Sequence, residues 1–189
     1  GREIMFGGMS DHNDVPVVDM QEDGTFGEKR QAEGHSSDIF SGAAVDFIAS
    51  ASEDSPFFCY VAFTAPHDPR DPPPAWRDRE RPPLPGNFRS QHAFDNGFLK
   101  VRDEKLAAWP RDPKVVRDQL AEYYGLIEHL DEAVGRVLGA VDARGASRAT
   151  GALAGAMGAA AFAVASALGP RAAAAAATTT VTVVGTVGN

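Results

Sequence analysis

The sequence predicts an α/β fold, and three features support this prediction. An amphipathic helix precedes a continuous apolar run at 57–63, and a second, much longer helix follows further along the chain. An unbroken apolar run of this length is typical of a parallel strand buried on both faces. A helix, a short loop and such a strand form half of a βαβ unit. Because ligands of open α/β sheets gather beyond the carboxyl ends of strands, the residues just after 63 are the first candidates for a site.

Composition limits the classes of function. The chain has 189 residues and a net charge of −8, which suits one soluble domain with a sizeable core. The acidic balance, without a cluster of Lys and Arg, argues against a nucleic-acid partner. The single cysteine, Cys59, excludes a disulfide framework within one chain and is interpreted as a small buried hydrophobe. The chain begins at Gly1 with no signal-peptide pattern, so we expect a piece of a longer reading frame, and neither compartment nor oligomeric state can be assigned.

The elements follow in order from local patterns. Residues 1–35 are rich in Gly and Asp and are predicted to be loop, with at most short strands around 16–20. Residues 36–38 offer N-cap candidates for the first helix. Its apolar stripe consists of Ile39, Phe40, Ala43, Ala44, Phe47 and Ile48. After the strand, prolines and alternating charges through 85 predict an extended surface loop, which is either a wall of the site or a solvated connector.

The second helix has the clearest signals. Asp112 is predicted as its N-cap and Pro113 as its first residue, and apolar spacing continues to about Ala140. Roughly 27 residues at a rise of 1.5 Å give on the order of 40 Å, enough to cover one face of a sheet. Its apolar positions are Val116, Leu120, Tyr124, Ile127, Leu130, Val134 and Leu138.

Residues 144–189 differ in composition from the rest of the chain. They are rich in Ala, Gly and Thr and predict a low-complexity tail that is unstructured or out of frame. The other interpretation is a membrane anchor at 151–169, where small residues recur at small-xxx-small spacing. That stretch has few strongly apolar residues, so we favour the first interpretation and expect no membrane partner.

The candidate site residues come from the strand end and from charged loops. His67 follows the strand and is the candidate catalytic residue, and Asp68 beside it either orients the imidazole or caps the turn. His12 and Lys100 are the other candidates for substrate binding; their alternatives are a surface-loop histidine and a solvated charge. Arg102 has the same two interpretations as Lys100, a contact of an anionic substrate or a solvated charge. No chemistry is assigned to His35, His92, His129 and Asp131.

Four segments in one order resemble the sulfatase family. They are Pro56–Pro69, Phe94–Leu106, Glu122–Leu138 and Phe6–His12, and together they cover residues 1–143, which we predict to be a partial sulfatase domain. The resemblance implies an alkaline-phosphatase-like α/β/α sandwich, incomplete at both ends, that hydrolyses small-molecule sulfate esters. It also implies one calcium ion and a formylglycine made from a C-x-P-S-R motif. In that scheme His67 matches a histidine that contacts the sulfate.

The chain also departs from the family pattern. It has no C-x-P-S-R motif, since Cys59 is followed by Tyr60, and it lacks the early acidic pair, the Gly-Lys-x-x-His segment and the Asp-His-Gly segment. We therefore assign no metal ligand and expect this chain alone to be inactive. Two alternatives stay open: a phosphoester or phosphonate hydrolase of the same superfamily, and a noncatalytic domain with a C-terminal membrane anchor.

Overall fold

A computed structural model describes residues 11–21, 23–52, 57–91 and 107–144, and the backbone alone of 2–6, 150–157, 159–166 and 180–187. The strands are β1 Arg2–Phe6, β2 Val15–Met20, β3 Phe26–Ala32, β4 Phe57–Ala62, β5 Thr150–Met157, β6 Ala159–Ser166 and β7 Thr180–Val187. The helices are α1 Ser36–Ser50, α2 Pro74–Arg77 and α3 Pro113–Ala143.

The described strands form one mixed sheet in the order β3-β2-β1-β7-β4-β6-β5. Strand β7 runs parallel to β1 on one side and to β4 on the other, and β4 pairs antiparallel with β6. The α/β class is therefore confirmed. The sequence predicts that both faces of β4 are buried, but only one is well covered: Cys59 and Val61 are fully buried, whereas Phe58 and Tyr60 are only half-buried. This alternation is the pattern of a strand with one well-covered face.

Two regions contain more strand than the sequence indicates. Strands β2 and β3 form an antiparallel hairpin within the segment predicted as mostly loop, and Gly24 takes the positive φ of +84° that its turn requires. The alternating burial signal is absent from β3 because most of its side chains are exposed. Residues 144–189 carry the backbone of three strands, of which β7 is rich in the β-branched residues that favour extended structure. The division at residue 143 remains a prediction.

Both long helices are confirmed, with changes at their caps and faces. The N-cap of α1 is His35, one residue before the predicted candidates, and its imidazole accepts a hydrogen bond from the backbone N–H of Ser37. Helix α3 begins as predicted: the Asp112 side chain accepts from the N–H of Lys114 at 2.7 Å. Its buried face differs from the predicted stripe: Leu130 is buried, whereas Tyr124, Ile127 and Leu138 are exposed, and small residues and a histidine occupy much of the buried face. The buried residues are Ala121, Gly125, Leu126, His129, Leu130, Ala133, Val137 and Val141.

Packing of the helices positions the residues that follow β4. Helix α1 lies against β4 and against α3, and the core contains Phe40 and Ile48 from α1 together with Leu126 from α3. The proline-rich stretch, predicted to contain no regular element, includes the single turn α2, which rests on α3. None of the helices in the described part of the chain is both long and apolar enough to cross a membrane.

Candidate functional site

The chain leaves β4 through a buried segment and turns sharply at His67. Phe63, Thr64 and Ala65 are almost wholly buried, and the backbone N–H of His67 donates to the carbonyl of Thr64 at 3.0 Å. The peptide bonds before Pro66 and Pro69 are cis. His67 itself is half-buried, and its Nδ1–H donates to the carbonyl oxygen of Asp68 at 3.0 Å. This bond leaves Nε2 as the ring atom available to a ligand.

A cavity of about 450 Å³ opens beside this turn. Its lining residues are Pro66, His67, Asp68, Arg70, Arg111, Val116, Gln119, Leu120 and Tyr123. Arg70 is held in place by the Asp68 carboxylate at 3.2 Å and by the Gln119 side-chain oxygen at 3.1 Å. The Arg111 guanidinium lies 4.3 Å from the centre of the Trp109 ring. Two guanidinium groups, a histidine and one carboxylate line this cavity, and guanidinium groups are well suited to bind a small anionic ligand.

A buried hydrogen-bond chain supports the turn from behind. The hydroxyl of Thr64 donates to Ser36 Oγ at 3.0 Å, and the hydroxyl of Ser36 donates to Nδ1 of His12 at 3.0 Å. His12 then donates from Nε2 to the carbonyl of His67 at 2.9 Å. Nδ1 of His12 also lies 3.2 Å from the Thr64 hydroxyl oxygen, and the bond to the His67 carbonyl places a ring proton of His12 on Nε2. His12 is 1% exposed, so it fixes the His67 backbone from inside the protein.

The predicted site residues fall in three different places. His67 and Asp68 both line the cavity. Asp68 orients the imidazole through its backbone carbonyl, while its carboxylate pairs with Arg70. His12 is buried behind the turn, so the alternative of a surface-loop histidine is wrong, and both of its ring nitrogens are bonded to protein atoms. Lys100 lies outside the described residues.

Sequence reasoning missed Arg70, Arg111 and Tyr123 as residues of the cavity wall. Arg70 lies in the proline-rich stretch that was considered as a possible wall, so its charge was a usable signal. Arg111 and Tyr123 reach the cavity only because the start of α3 packs beside the His67 turn. No local pattern in the sequence indicates that proximity.

The groups implied by the resemblance find no matching residues in the described part of the chain. Cys59 is buried in β4, and desolvation raises the pKa of its thiol to about 11, so it is not an activated nucleophile. The one set of His, Cys, Asp and Glu side chains that converges within the described residues is His35, Asp38 and His129. Two nitrogen donors and one carboxylate do not fit calcium, which takes six to eight oxygen ligands.

Comparisons with known proteins point to one family. The sequence profile of the Sulfatase family matches residues 6–151. An arylsulfatase of Clostridium perfringens (strain 13, type A) is 30% identical over 100 residues, which are 50% of this chain and 20% of the relative. The chain thus spans about one-fifth of the length of that relative. No solved structure matches the chain.

Proposed function

Because the chain belongs to the sulfatase family, we propose that it forms one wall of the substrate pocket of a sulfuric ester hydrolase, with His67 contacting the sulfate group. One observation carries the proposal: His67 ends a turn beyond β4 and lines a cavity that also contains Arg70 and Arg111. A strand end, a histidine and two guanidinium groups are the elements of an anion site in an α/β protein.

The geometry suggests how His67 acts. Its Nδ1–H is held by the Asp68 carbonyl, so an imidazolium would donate its second N–H from Nε2 to a sulfate oxygen. The positive charge would also offset the negative charge that develops on the leaving oxygen when the ester bond breaks. Arg70 is fixed by Asp68 and Gln119, and therefore presents its charge to the cavity without much further ordering.

The nucleophile and the calcium site belong to other segments in this proposal. The chain has no C-x-P-S-R motif, and the described residues offer no oxygen-rich set of calcium ligands. We therefore expect this chain to bind a sulfate ester without hydrolysing it. The residue that becomes formylglycine and the calcium ligands would lie in other parts of a longer protein, since the match covers only 20% of the arylsulfatase relative.

Isothermal titration of the chain with 4-nitrophenyl sulfate tests the binding role. We expect saturable binding that weakens by about tenfold or more in His67→Ala, since a hydrogen bond to a charged group is worth roughly 1.5–3 kcal/mol. The control is Arg89→Gln, which changes an exposed charge that does not line the cavity. Equal binding by the wild type and His67→Ala would contradict the proposal, as would equal binding of 4-nitroanisole, which cannot ionise. A clear preference for 4-nitrophenyl phosphate would favour the phosphoester alternative.

The genomic DNA on either side of the segment that encodes this chain tests whether the segment belongs to a catalytic sulfatase. We expect an upstream C-x-P-S-R codon series and an Asp-His-Gly series in another frame after codon 144. The absence of both motifs from every frame would contradict membership of this segment in a catalytic sulfatase gene, while leaving the binding experiment unaffected.

A further inference from the structure

A cluster of polar side chains lies between α1 and α3, separate from the cavity beside His67. His35 is the N-cap of α1, Asp38 lies in the first turn of that helix, and His129 faces them from the middle of α3. Each of the three offers one potential ligand atom, and these atoms all lie within 4.8 Å of one another. His129 Nε2 is 3.0 Å from one Asp38 oxygen and 3.1 Å from the other.

Among the described residues, two nitrogen atoms of this cluster have no partner that meets hydrogen-bond geometry, although the backbone of Asp71 lies near the His35 ring. They are Nε2 of His35 and Nδ1 of His129, and both are shielded from solvent. Each histidine is only 4% exposed. Buried side-chain nitrogens nearly always have a partner, so the unpaired Nε2 of His35 indicates a site that something else completes. The rings meet edge to face with centroids 4.5 Å apart, close enough to share one small ligand.

We propose that His35, Asp38 and His129 form a binding site for a divalent transition-metal ion such as Zn²⁺. One nitrogen from each imidazole and one oxygen of Asp38 would supply three ligands, and water would fill the remaining positions. The ion therefore differs in class from calcium, and this site does not depend on the proposed sulfate ester function.

The surroundings give a cation a route to the cluster. The Asp38 side chain is 45% exposed and borders a second cavity, of about 490 Å³. Three further carboxylates line that cavity, from Asp19, Glu33 and Asp46, against a single guanidinium from Arg30. A concave surface with this excess of negative charge raises the local concentration of cations. Asp38 is thus the ligand that an incoming ion would meet first.

Binding requires three local adjustments. His129 Nε2 donates its proton to Asp38, so coordination through that nitrogen would move the ring proton to Nδ1. His35 Nδ1 accepts the cap hydrogen bond of Ser37 at 3.2 Å, so coordination through Nε2 would move the ring proton to Nδ1 and release that bond. Arg136 donates to Asp38 Oδ1 and to Ser41 Oγ, and its charge opposes the incoming ion. Because a carboxylate has two oxygens, the second remains available to the metal while Arg136 keeps the first.

Titration of the untagged, metal-stripped full chain with Zn²⁺ and with Co²⁺ tests the site. We expect one equivalent to bind, with visible Co²⁺ absorption bands typical of nitrogen and oxygen ligands. Asp38→Asn and His129→Gln should each weaken binding by about tenfold or more. Asp131→Asn is the matched control, since it removes an exposed carboxylate of α3 outside the cluster and should keep the wild-type affinity. Unchanged affinity in the two cluster variants would overturn the proposal.

A second measurement uses only the wild-type chain, so it tests the proposal even if the variants fail to fold. Paramagnetic Co²⁺ added to the wild-type chain should selectively broaden the ring signals of His35 and His129 in NMR spectra, and those of His12 next, because its ring stacks on His35 at 5.1 Å. Broadening centred on another histidine, or none at millimolar Co²⁺, would show that the cluster is only a structural contact between the helices.

Discussion

Gly125 is a residue of α3 against which the proline-rich stretch after His67 packs. A Cβ atom added to Gly125 would overlap the carbonyl oxygen of Trp76 in α2 and would lie 3.3 Å from the Pro72 side chain. The overlapped atom belongs to the backbone, so relief requires movement of the whole α2 turn. We therefore predict that Gly125→Ala destabilises the protein, although the same change normally stabilises a helix.

Two opposing terms set the size of this effect. Alanine is better than glycine in a helix interior by about 1 kcal/mol. Overpacking against a well-fixed backbone costs typically about 1–3 kcal/mol. The net change in the free energy of unfolding should be a loss of up to about 2 kcal/mol, equivalent to a melting temperature lower by up to roughly 8 °C for a chain of this size.

The same helix provides matched controls. Gly135 and Gly139 are exposed, and an added Cβ at either would meet nothing within 4 Å. Gly135→Ala and Gly139→Ala should therefore each stabilise the protein by up to about 1 kcal/mol. Urea unfolding can be followed by tryptophan fluorescence, because Trp76 lies at the α2–α3 contact. A stabilisation in Gly125→Ala equal to that of the controls would refute the close packing of α2 on α3.

Three further predictions concern buried groups. His12→Ala should lower the free energy of unfolding by about 1–3 kcal/mol in urea titrations, because the Ser36 hydroxyl and the His67 carbonyl each lose their buried hydrogen bond to the imidazole; an exposed-residue variant such as Arg89→Gln should change little. Burial, followed by the nearby charges of His129 and His12, lowers the pKa of His35 from 6.5 to about 4, although Asp38 opposes the shift. The unfolded chain therefore takes up the proton first, so in metal-free buffer stability should fall by at most about 3 kcal/mol between pH 6.5 and 4, and His35→Gln should flatten this profile. Cys59, with its pKa raised to about 11, should react with a disulfide reagent at pH 8 only as fast as the protein opens, whereas rapid labelling of the native chain would show that β4 is accessible.

The sequence predicts the elements whose signals are local. The Asp112-Pro113 start of α3 and the apolar stripe of α1 need only a few neighbouring residues, and both helices appear in the structure. Strand β3 gives no such signal, because its exposed, charged side chains lack the alternation that a half-buried strand shows. The buried face of α3 was only partly predicted for a related reason: Gly125 and His129 are buried by close contacts rather than by apolar character.

The candidate site likewise combines a local signal, which the sequence shows, with long-range contacts, which it does not. The position of His67 after an apolar strand is a local signal, whereas the bonds that hold it are not, since His12 and His67 are 55 positions apart and His12 and Ser36 are 24 apart. No local pattern indicates that His35 and His129 meet, because the contact between His129 and Asp38 spans 91 positions. Long-range pairs of this kind follow from the topology and from no spacing within the chain.

The first turn of α1 connects the two candidate sites. Ser36 bonds to His12, which fixes the His67 turn, and the adjacent His35 stacks on that same His12 ring. Occupation of the His35 cluster by a metal would release the Ser37 cap bond, and the start of the helix would then have to readjust where Ser36 contacts His12. A polar helix N-terminus buried between two sites does little for helix stability by itself, because each of its buried donors and acceptors needs a partner. The arrangement has a physical reason if residues 35–38 set the geometry of both sites.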